Sequence, residues 1–292
     1  MISVIVPTHN RRELLERKLR ALDHQTGEFE VVVVADGCTD GTTTFLSRYQ
    51  PPYPLRYLET GGRGAAFARN RGAEKARGEQ LLFSDDDVIP GPGWVEKLIK
   101  ALEEKPAVYL GAFRFEDGKS WRPAVRFGKV GFNNVNGVAL AIPKKWFEGV
   151  GGFAEWMSGY GHEDLELGYR LAKAGYPIKY LSRAEAVHLG PTPTHDVVKA
   201  KAAGEQAMRI YRFHRDVGLG LELGVHPALL YVKMAVLPWT KRLLGPRGDY
   251  ELAYAWGAWA ARHEDLPGFA SHGAYEDPPA SPKDSGGEDG SS

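Results

Sequence analysis

The sequence predicts an α/β protein: a mostly parallel central sheet flanked by helices, with a helical extension behind it. Three observations lead there. Apolar, β-branched runs alternate with segments of helical period through residues 1–116, the pattern of βαβ units. The run "FEVVVVA" (29–35) is apolar on both faces, as in a strand covered by helices on both sides. The unusual polar residues of this region (Thr8, Asn10, Asp36 and Asp85 to Asp87) all follow strands, where open sheets bind their ligands.

The elements follow in order. "ISVIV" (2–6) is a strand ended by Pro7, and Leu15, Leu19 and Leu22 continue at helical spacing. "FEVVVVA" is broken by Asp36-Gly37, and "TTTFLSRY" can form a helix. "LRYLE" (55–59) is a third strand, and a Gly-rich turn leads to the helix "AAFARNRGAEKA". "EQLLFS" (79–84) is a fourth strand, and Pro92 starts a helix with Trp94, Leu98 and Leu102 on one face. "AVYLGAFRFE" (107–116), "VNGVALAIP" (135–143) and "IKYLS" (178–182) are further strands, and 162–175 is a helix with Glu163 and Asp164 in its first turn. Residues 196–216 and 227–262 look helical.

The expected organisation is a main domain over 1–195, in two parts (1–116 and 117–195). A helical extension (196–265) and a disordered acidic tail (266–292) follow. The chain has 292 residues, 43% hydrophobic, enough to bury a large core. The formal net charge is zero, so no global field draws it to nucleic acid, and none is expected as a partner. Cys38 is the lone cysteine, which excludes an internal disulfide and fits a reducing compartment. "MISVIVPTHN" has no secretory pattern, and no uncharged apolar stretch reaches 18 residues. The expected location is cytoplasmic. The segment 226–244, "HPALLYVKMAVLPWTKRLL", is apolar but interrupted by Lys233 and Pro238, so it suits peripheral contact with the inner face of a membrane. A helix packed on the catalytic domain is the plainer alternative.

The chemistry concentrates in "QLLFSDDDVIP" (80–90), where a buried strand runs into three carboxylates. Such acids can be merely solvated, or cap a turn. A calcium loop needs alternating acids and a closing Glu, which "DDDVIPGPGW" lacks. The remaining reading is a Mg²⁺ or Mn²⁺ ion that also touches a diphosphate, since such hard cations take one or two carboxylates and complete their shell with phosphate oxygens and water. "GGRGAAFARNRG" is a poor dinucleotide fingerprint, because its sixth position is Phe67 and it follows the third strand. Arg63, Arg69 and Arg71 fit a loop that meets phosphates or a base.

"SVIVPTHNR", "VVVVADGCTDGT", "GAAFARNRGAEKARGEQLLFSDDDVIP", "VGGFAEW" and "GHEDLELGYRLAKAGY" resemble, in order, the motifs of family 2 glycosyltransferases of the GT-A fold, over roughly residues 1–190. The resemblance implies transfer of a sugar from a UDP- or GDP-type donor, helped by a divalent cation. It implies that Pro7, Thr8, Asn10 and Asp36 line the base and ribose pocket and that Arg63 approaches the base or diphosphate. Asp85 or Asp86 would bind ribose, and Asp87 would hold the metal. Asp164 matches the usual general base, with Glu163 beside it, although acids in a first helical turn can simply favour the helix dipole. His188 stands where many relatives complete the metal shell; His162 and His9 are weaker candidates. Two positions depart from the pattern: Cys38 replaces the usual Ser, as a small turn residue, and Ala154 replaces the usual Asp of "GGFDE". "NNVNGVALAIP" would line the acceptor side, and Trp121, Trp146 and Trp156 could stack on a sugar or fill core. The acceptor could be a carbohydrate, a lipid-linked group or a small molecule.

Two alternatives stand beside this reading. A nucleotidyltransferase would need a Gly-rich triphosphate loop with Lys after the first strand, where this chain has "VPTHNRRE". A sugar-nucleotide binding protein without catalysis would show no Mn²⁺-dependent hydrolysis of the donor.

Overall fold

The computed structural model describes residues 1–157, 161–193 and 196–264. Residues 158–160, just before α6, and the acidic tail therefore lie outside the described residues. The chain order is β1 (Ile2–Thr8), α1 (Arg12–Leu22), β2 (Phe29–Asp36), α2 (Thr42–Leu46), β3 (Leu55–Thr60), α3 (Ala65–Lys75), β4 (Gln80–Phe83), β5 (Val88–Pro90), α4 (Trp94–Glu104) and β6 (Val108–Phe115). Short strands β7 (Ser120–Trp121), β8 (Val125–Arg126) and β9 (Lys129–Val130) precede β10 (Leu140–Pro143), α5 (Lys144–Gly149), α6 (Glu163–Lys173) and β11 (Ile178–His188). Helices α7 (Val197–His214), α8 (Val217–Glu222), α9 (Pro227–Leu244) and α10 (Pro246–Ala261) form the extension.

One sheet organises the domain, in the order β3-β2-β1-β4-β10-β6-β11-β5, with β7 on β6. The strands β3, β2, β1 and β4 are parallel, so Thr8, Asp36 and the aspartate run leave the sheet at the same edge. Strand β10 runs antiparallel between β4 and β6. The sheet is thus mixed, and the boundary expected at 116 does not divide it, because β10 from the second half is inserted into its middle.

Alternation along the strands feeds two cores. Val4 and Val6 join Leu15, Leu19, Trp94 and Leu98 on one face. Ile5 joins Ala73, Phe147, Leu167 and Leu171 on the other. A further cluster, with Ala207, Met208, Leu230 and Ala258, holds α7, α9 and α10 together.

Three expected elements change. The strand over 135–143 shrinks to β10, because Asn136 and Gly137 spend their polar groups in a loop: Asn136 Oδ1 accepts from Val138 N at 3.2 Å, and Gly137 N donates to Asp164 at 2.9 Å. The strand at 178–182 extends to His188 across an irregularity between Leu181 and Glu185. The helix over 227–262 breaks at Gly245 (φ 56°), after which Pro246 opens α10.

Helix α3 lies close against the sheet at Gly72. A Cβ there would fall 2.4 Å from Ile5 Cγ2 and 3.2 Å from Val34 Cγ2. Gly72→Ala gains helix propensity of about 1 kcal/mol, but overpacking at such a contact costs about 1–3 kcal/mol. We expect a net loss of stability, read as a lower urea midpoint with unchanged slope; a higher midpoint would show that α3 can lift off the sheet without cost.

Candidate active site

Strand β4 ends at Phe83, and Ser84 with Asp85 to Asp87 forms the link to β5. Each aspartate has a different partner. Asp86 is buried and accepts from Thr8 Oγ1 at 2.7 Å and Arg11 Nη1 at 3.2 Å. Burial pushes its carboxyl up to about 6, against Thr8 and Arg11, with Asp87 and Asp85 adding to the rise. Asp87 Oδ2 accepts from Arg11 Nη1 at 3.0 Å. Asp85 Oδ1 accepts from Arg69 Nη2 at 2.8 Å. Thr8, expected in the wall of the base pocket, is buried and spends its hydroxyl on Asp86.

His188 reaches Asp87 through a pairing that the sequence does not show. Strand β5 runs antiparallel to the end of β11, with Val88 opposite His188. Leu189 N then donates to Asp87 O at 2.8 Å. His188 Nε2 stands 3.8 Å from Asp87 Oδ1, and that oxygen is buried without a hydrogen-bond partner. Two ligands about 2.1 Å from one ion lie at most about 4.2 Å apart, so the pair fits a shared cation. Among the described residues no group of three His, Cys, Asp or Glu side chains is arranged to hold a metal alone. The remaining ligands would have to come from elsewhere, as they do for hard cations bound with phosphates.

Asp36 is turned toward the Gly-rich loop. Its Oδ1 accepts from Thr60 Oγ1, Gly62 N and Arg63 N at 2.6, 2.9 and 2.9 Å, and its Oδ2 from Gly64 N at 2.6 Å. Burial opposes ionisation, but these four donors outweigh it and hold the carboxyl below its usual range. They also fill the acceptor capacity of the group, so Asp36 shapes the pocket by fixing the loop instead of presenting a free carboxylate. The Arg63 side chain is exposed and lies over the Phe67 ring at 3.9 Å. Asn10 adopts a left-handed φ of 52° and accepts from Thr39 N at 2.7 Å. His9 Nδ1 bonds the carbonyl of Asp36, and Cys38 Sγ points at Thr8 O at 3.5 Å, as a small turn residue would. Pro7 sits within β1 opposite Val34.

Arg69 does not meet solvent. It is 4% exposed, and its guanidinium joins Asp85 to Glu163 Oε1 at 2.8 Å and to Asp164 Oδ1 at 3.6 Å. Burial opposes its charge, but the three carboxylates hold its pKa above the ordinary value. Asp164 makes the longest of the three contacts with Arg69. Its Oδ2 accepts from Gly137 N, and its Oδ1 has no hydrogen bond. Burial raises its carboxyl to about 7; Glu163 and Asp85 add to the rise while Arg69 and the Gly137 N–H oppose it. His162, at φ 75° before α6, has its pKa lowered by burial, against the pull of Glu163.

Sequence reasoning missed two residues. Arg11 bridges Asp86 and Asp87. Lys18, on α1, is fully buried beneath the aspartates, where its Nζ donates to Ser84 Oγ at 2.6 Å and faces the Trp94 ring at 5.2 Å. Burial lowers its pKa to about 7, against Asp85, Asp87 and Asp86. A lysine among Leu15, Leu19 and Leu22 was the available signal. The expected sugar-stacking residues are occupied internally: Trp121 stacks on Phe113, Trp146 on Tyr176 and Trp156 on Phe213, at 5.0, 4.3 and 4.6 Å.

This architecture has known counterparts. A sequence model of glycosyl transferase family 2 matches residues 3–163. The chain belongs to that family. It is 32% identical over 240 residues to validoxylamine A glucosyltransferase of Streptomyces hygroscopicus subsp. jinggangensis, covering 67% of this chain and 57% of the relative. The chain thus spans little more than half the length of such curated relatives. A chondroitin synthase of Pasteurella multocida is 24% identical over 259 residues, covering 72% of this chain and 27% of its own. Among solved structures, the mannosyltransferase PcManGT of Pyrobaculum calidifontis, in complex with GDP-Man and Mn²⁺, has a TM-score of 0.62 at 21% identity, covering 89% of this chain and 86% of that one. Residues 1–349 of S. aureus TarS, in complex with UDP-GlcNAc, have a TM-score of 0.56 at 20% identity, covering 89% and 91%. The fold of this family 2 member is GT-A.

Lys18 gives the site a measurable pH signature. The folded chain releases its proton near 7, whereas an unfolded lysine holds it to about 10.4. In that window the unfolded state binds more protons, so this group makes stability rise with pH. Lys18→Met should lose that contribution. Its stability relative to the parent should therefore fall steadily as pH is raised through the window in urea titrations; a constant difference would mean that Lys18 keeps its proton.

Proposed function

We propose that the protein is an inverting, metal-dependent glycosyltransferase that uses a UDP- or GDP-sugar and an acceptor hydroxyl, with Asp164 as general base. The acceptor class is a carbohydrate, a lipid-linked group or a small molecule. The observation that carries this reading is the state of Asp164. Its side chain is 22% exposed: one oxygen accepts from Gly137 N, the other is buried without a hydrogen bond, and Arg69 ties it to the aspartate cluster. A base with a pKa near 7 is matched to work at neutral pH.

Asp87 and His188 would hold Mn²⁺ or Mg²⁺ between them, with diphosphate oxygens and water completing the shell. Five carboxylates (Asp85, Asp86, Asp87, Glu163 and Asp164) face three basic side chains (Arg11, Lys18 and Arg69), an excess of negative charge that favours a cation. The PcManGT complex with GDP-Man and Mn²⁺ supports the same choice. When bound, the cation supplies positive charge to the departing diphosphate.

The Asp164 carboxylate accepts the proton of the acceptor hydroxyl as that hydroxyl oxygen bonds to the anomeric carbon. The bond from that carbon to the diphosphate oxygen breaks on the opposite face, and its electron pair leaves with the nucleoside diphosphate. Glu163, paired with Arg69, keeps the guanidinium charged and in place. Asp85, on the other side of the same guanidinium, faces the donor edge of the sheet.

Three experiments test these roles. Asp164→Asn keeps the shape and removes the proton acceptor, so turnover should fall by about 10²- to 10⁴-fold while donor affinity stays nearly constant. Glu163→Gln should cost less. In the parent, kcat/KM should rise with pH through about 7 as Asp164 ionises; near-normal turnover of Asp164→Asn with a dead Glu163→Gln would exchange the roles. Separately, Asp87→Ala should abolish the Mn²⁺ dependence of nucleoside diphosphate binding in calorimetry, and unchanged affinity with intact metal dependence would remove Asp87 from the metal site.

A further inference from the structure

Helix α9 carries an apolar face that its own protein leaves uncovered. Of its 18 residues only Leu230 is buried. Tyr231, Trp239 and Leu243 are 68%, 85% and 87% exposed, and Val232, Val236 and Leu244 are exposed beside them. Six of the fifteen large exposed hydrophobic residues of the described chain therefore lie on this one helix. Single exposed apolar residues need no explanation, but a concentration of this kind marks an interaction surface.

The charge pattern identifies the occupant. Helix α9 has three basic residues (Lys233, Lys241 and Arg242) and no acid. Arg242 and Arg247 are exposed at the tip of the α9–α10 hairpin, within a helical turn or two of Trp239, Leu243 and Leu244. A tryptophan and leucines bordered by arginines suit the boundary between lipid headgroups and acyl chains, where apolar burial and attraction to anionic lipid act together.

The geometry also says how the helix would sit. Residues Val217–Leu244 are long and apolar enough to cross a membrane by length and composition, but α8 and α9 are separate helices. The inner side of α9 is committed, since Leu230 packs with Met208 and Ala258 and is joined by Met234 and Leu237. Lys233 stands 3.8 Å from Glu251 and 5.7 Å from the Tyr254 ring on α10. A helix docked along one side cannot be surrounded by lipid. We propose that α9 lies in the plane of an anionic membrane surface, with Trp239 and Leu243 inserted and Arg242 and Arg247 on the headgroups.

Flotation of the full chain with phosphatidylcholine vesicles, with and without phosphatidylglycerol, tests this. We expect binding to the anionic vesicles at low salt and its loss at high salt. Trp239→Ser with Leu243→Ser should weaken it by more than about tenfold. Arg242→Gln with Arg247→Gln should weaken it by about fivefold per charge. Both pairs are surface changes far from the donor residues, so circular dichroism and Mn²⁺-dependent nucleoside diphosphate binding should match the parent. Absence of vesicle binding would overturn the proposal, as would binding that ignores both pairs of substitutions. Self-association that Trp239→Ser with Leu243→Ser abolishes, without flotation, would assign the face to a second copy of the chain and equally overturn it.

Discussion

The site depends on one buried guanidinium. Arg69 joins the turn after β4, through Asp85, to the first turn of α6, through Glu163 and Asp164. A buried cation among three carboxylates is stable only while its partners are in place; removing one partner from such a pair costs about 3–5 kcal/mol. The surroundings are fitted to it. The Phe153 ring lies 5.2 Å from its guanidinium carbon, and a Cβ at Gly137 would come within 2.6 Å of Nη2. Gly72 lets α3 sit close enough to the sheet for Arg69 to reach under the cleft. The positions of Asp85, Glu163 and Asp164 are thus set by the same side chain.

Helix α6 is held from its far side as well. Glu166, fully enclosed, receives two bonds from Arg170 at 2.5 and 2.8 Å and faces His214 Nε2 at 2.9 Å. Burial opposes its ionisation, but Arg170 and His214 hold its carboxyl below the usual range. Tyr169 donates to Asp216 at 2.8 Å, and Tyr169, Ile210 and Leu219 share a small apolar cluster. The extension therefore clamps the helix that carries Glu163 and Asp164 from the side away from Arg69.

Local pattern made most of the parallel half legible. Period-two and period-3.6 runs located β1, β2, β3, β4, β6, α1, α3 and α4 to within a few residues, because each buries one face or both in a continuous core. The motif residues at the carboxyl ends were equally visible. Long-range pairing was not. Strand β5 is three residues long and exists because β11 pairs with it, and that pairing is what brings His188 to Asp87. Lys18 shares the apolar side of α1 with Leu15, Leu19 and Leu22, but what it and Arg69 meet is set only by the packing of α1 and α3 against the sheet. Asp36 stands out in the sequence, but its partners are backbone N–H groups more than twenty residues away, which no motif displays.

The insertion of β10 has a consequence for how the chain comes to be folded. Strand β4 receives β1 on one side from residues already made, but its other neighbour is Leu140–Pro143, some sixty residues downstream. During synthesis, the parallel half therefore waits with an apolar edge, Leu81 to Phe83, open to any extended strand that passes. Such edges are templates for wrong pairing, and pairings this distant in sequence form slowly. Residues 1–116 are not a folding unit that a cut near residue 116 would release intact. Their sheet is closed in the middle only when β10 arrives.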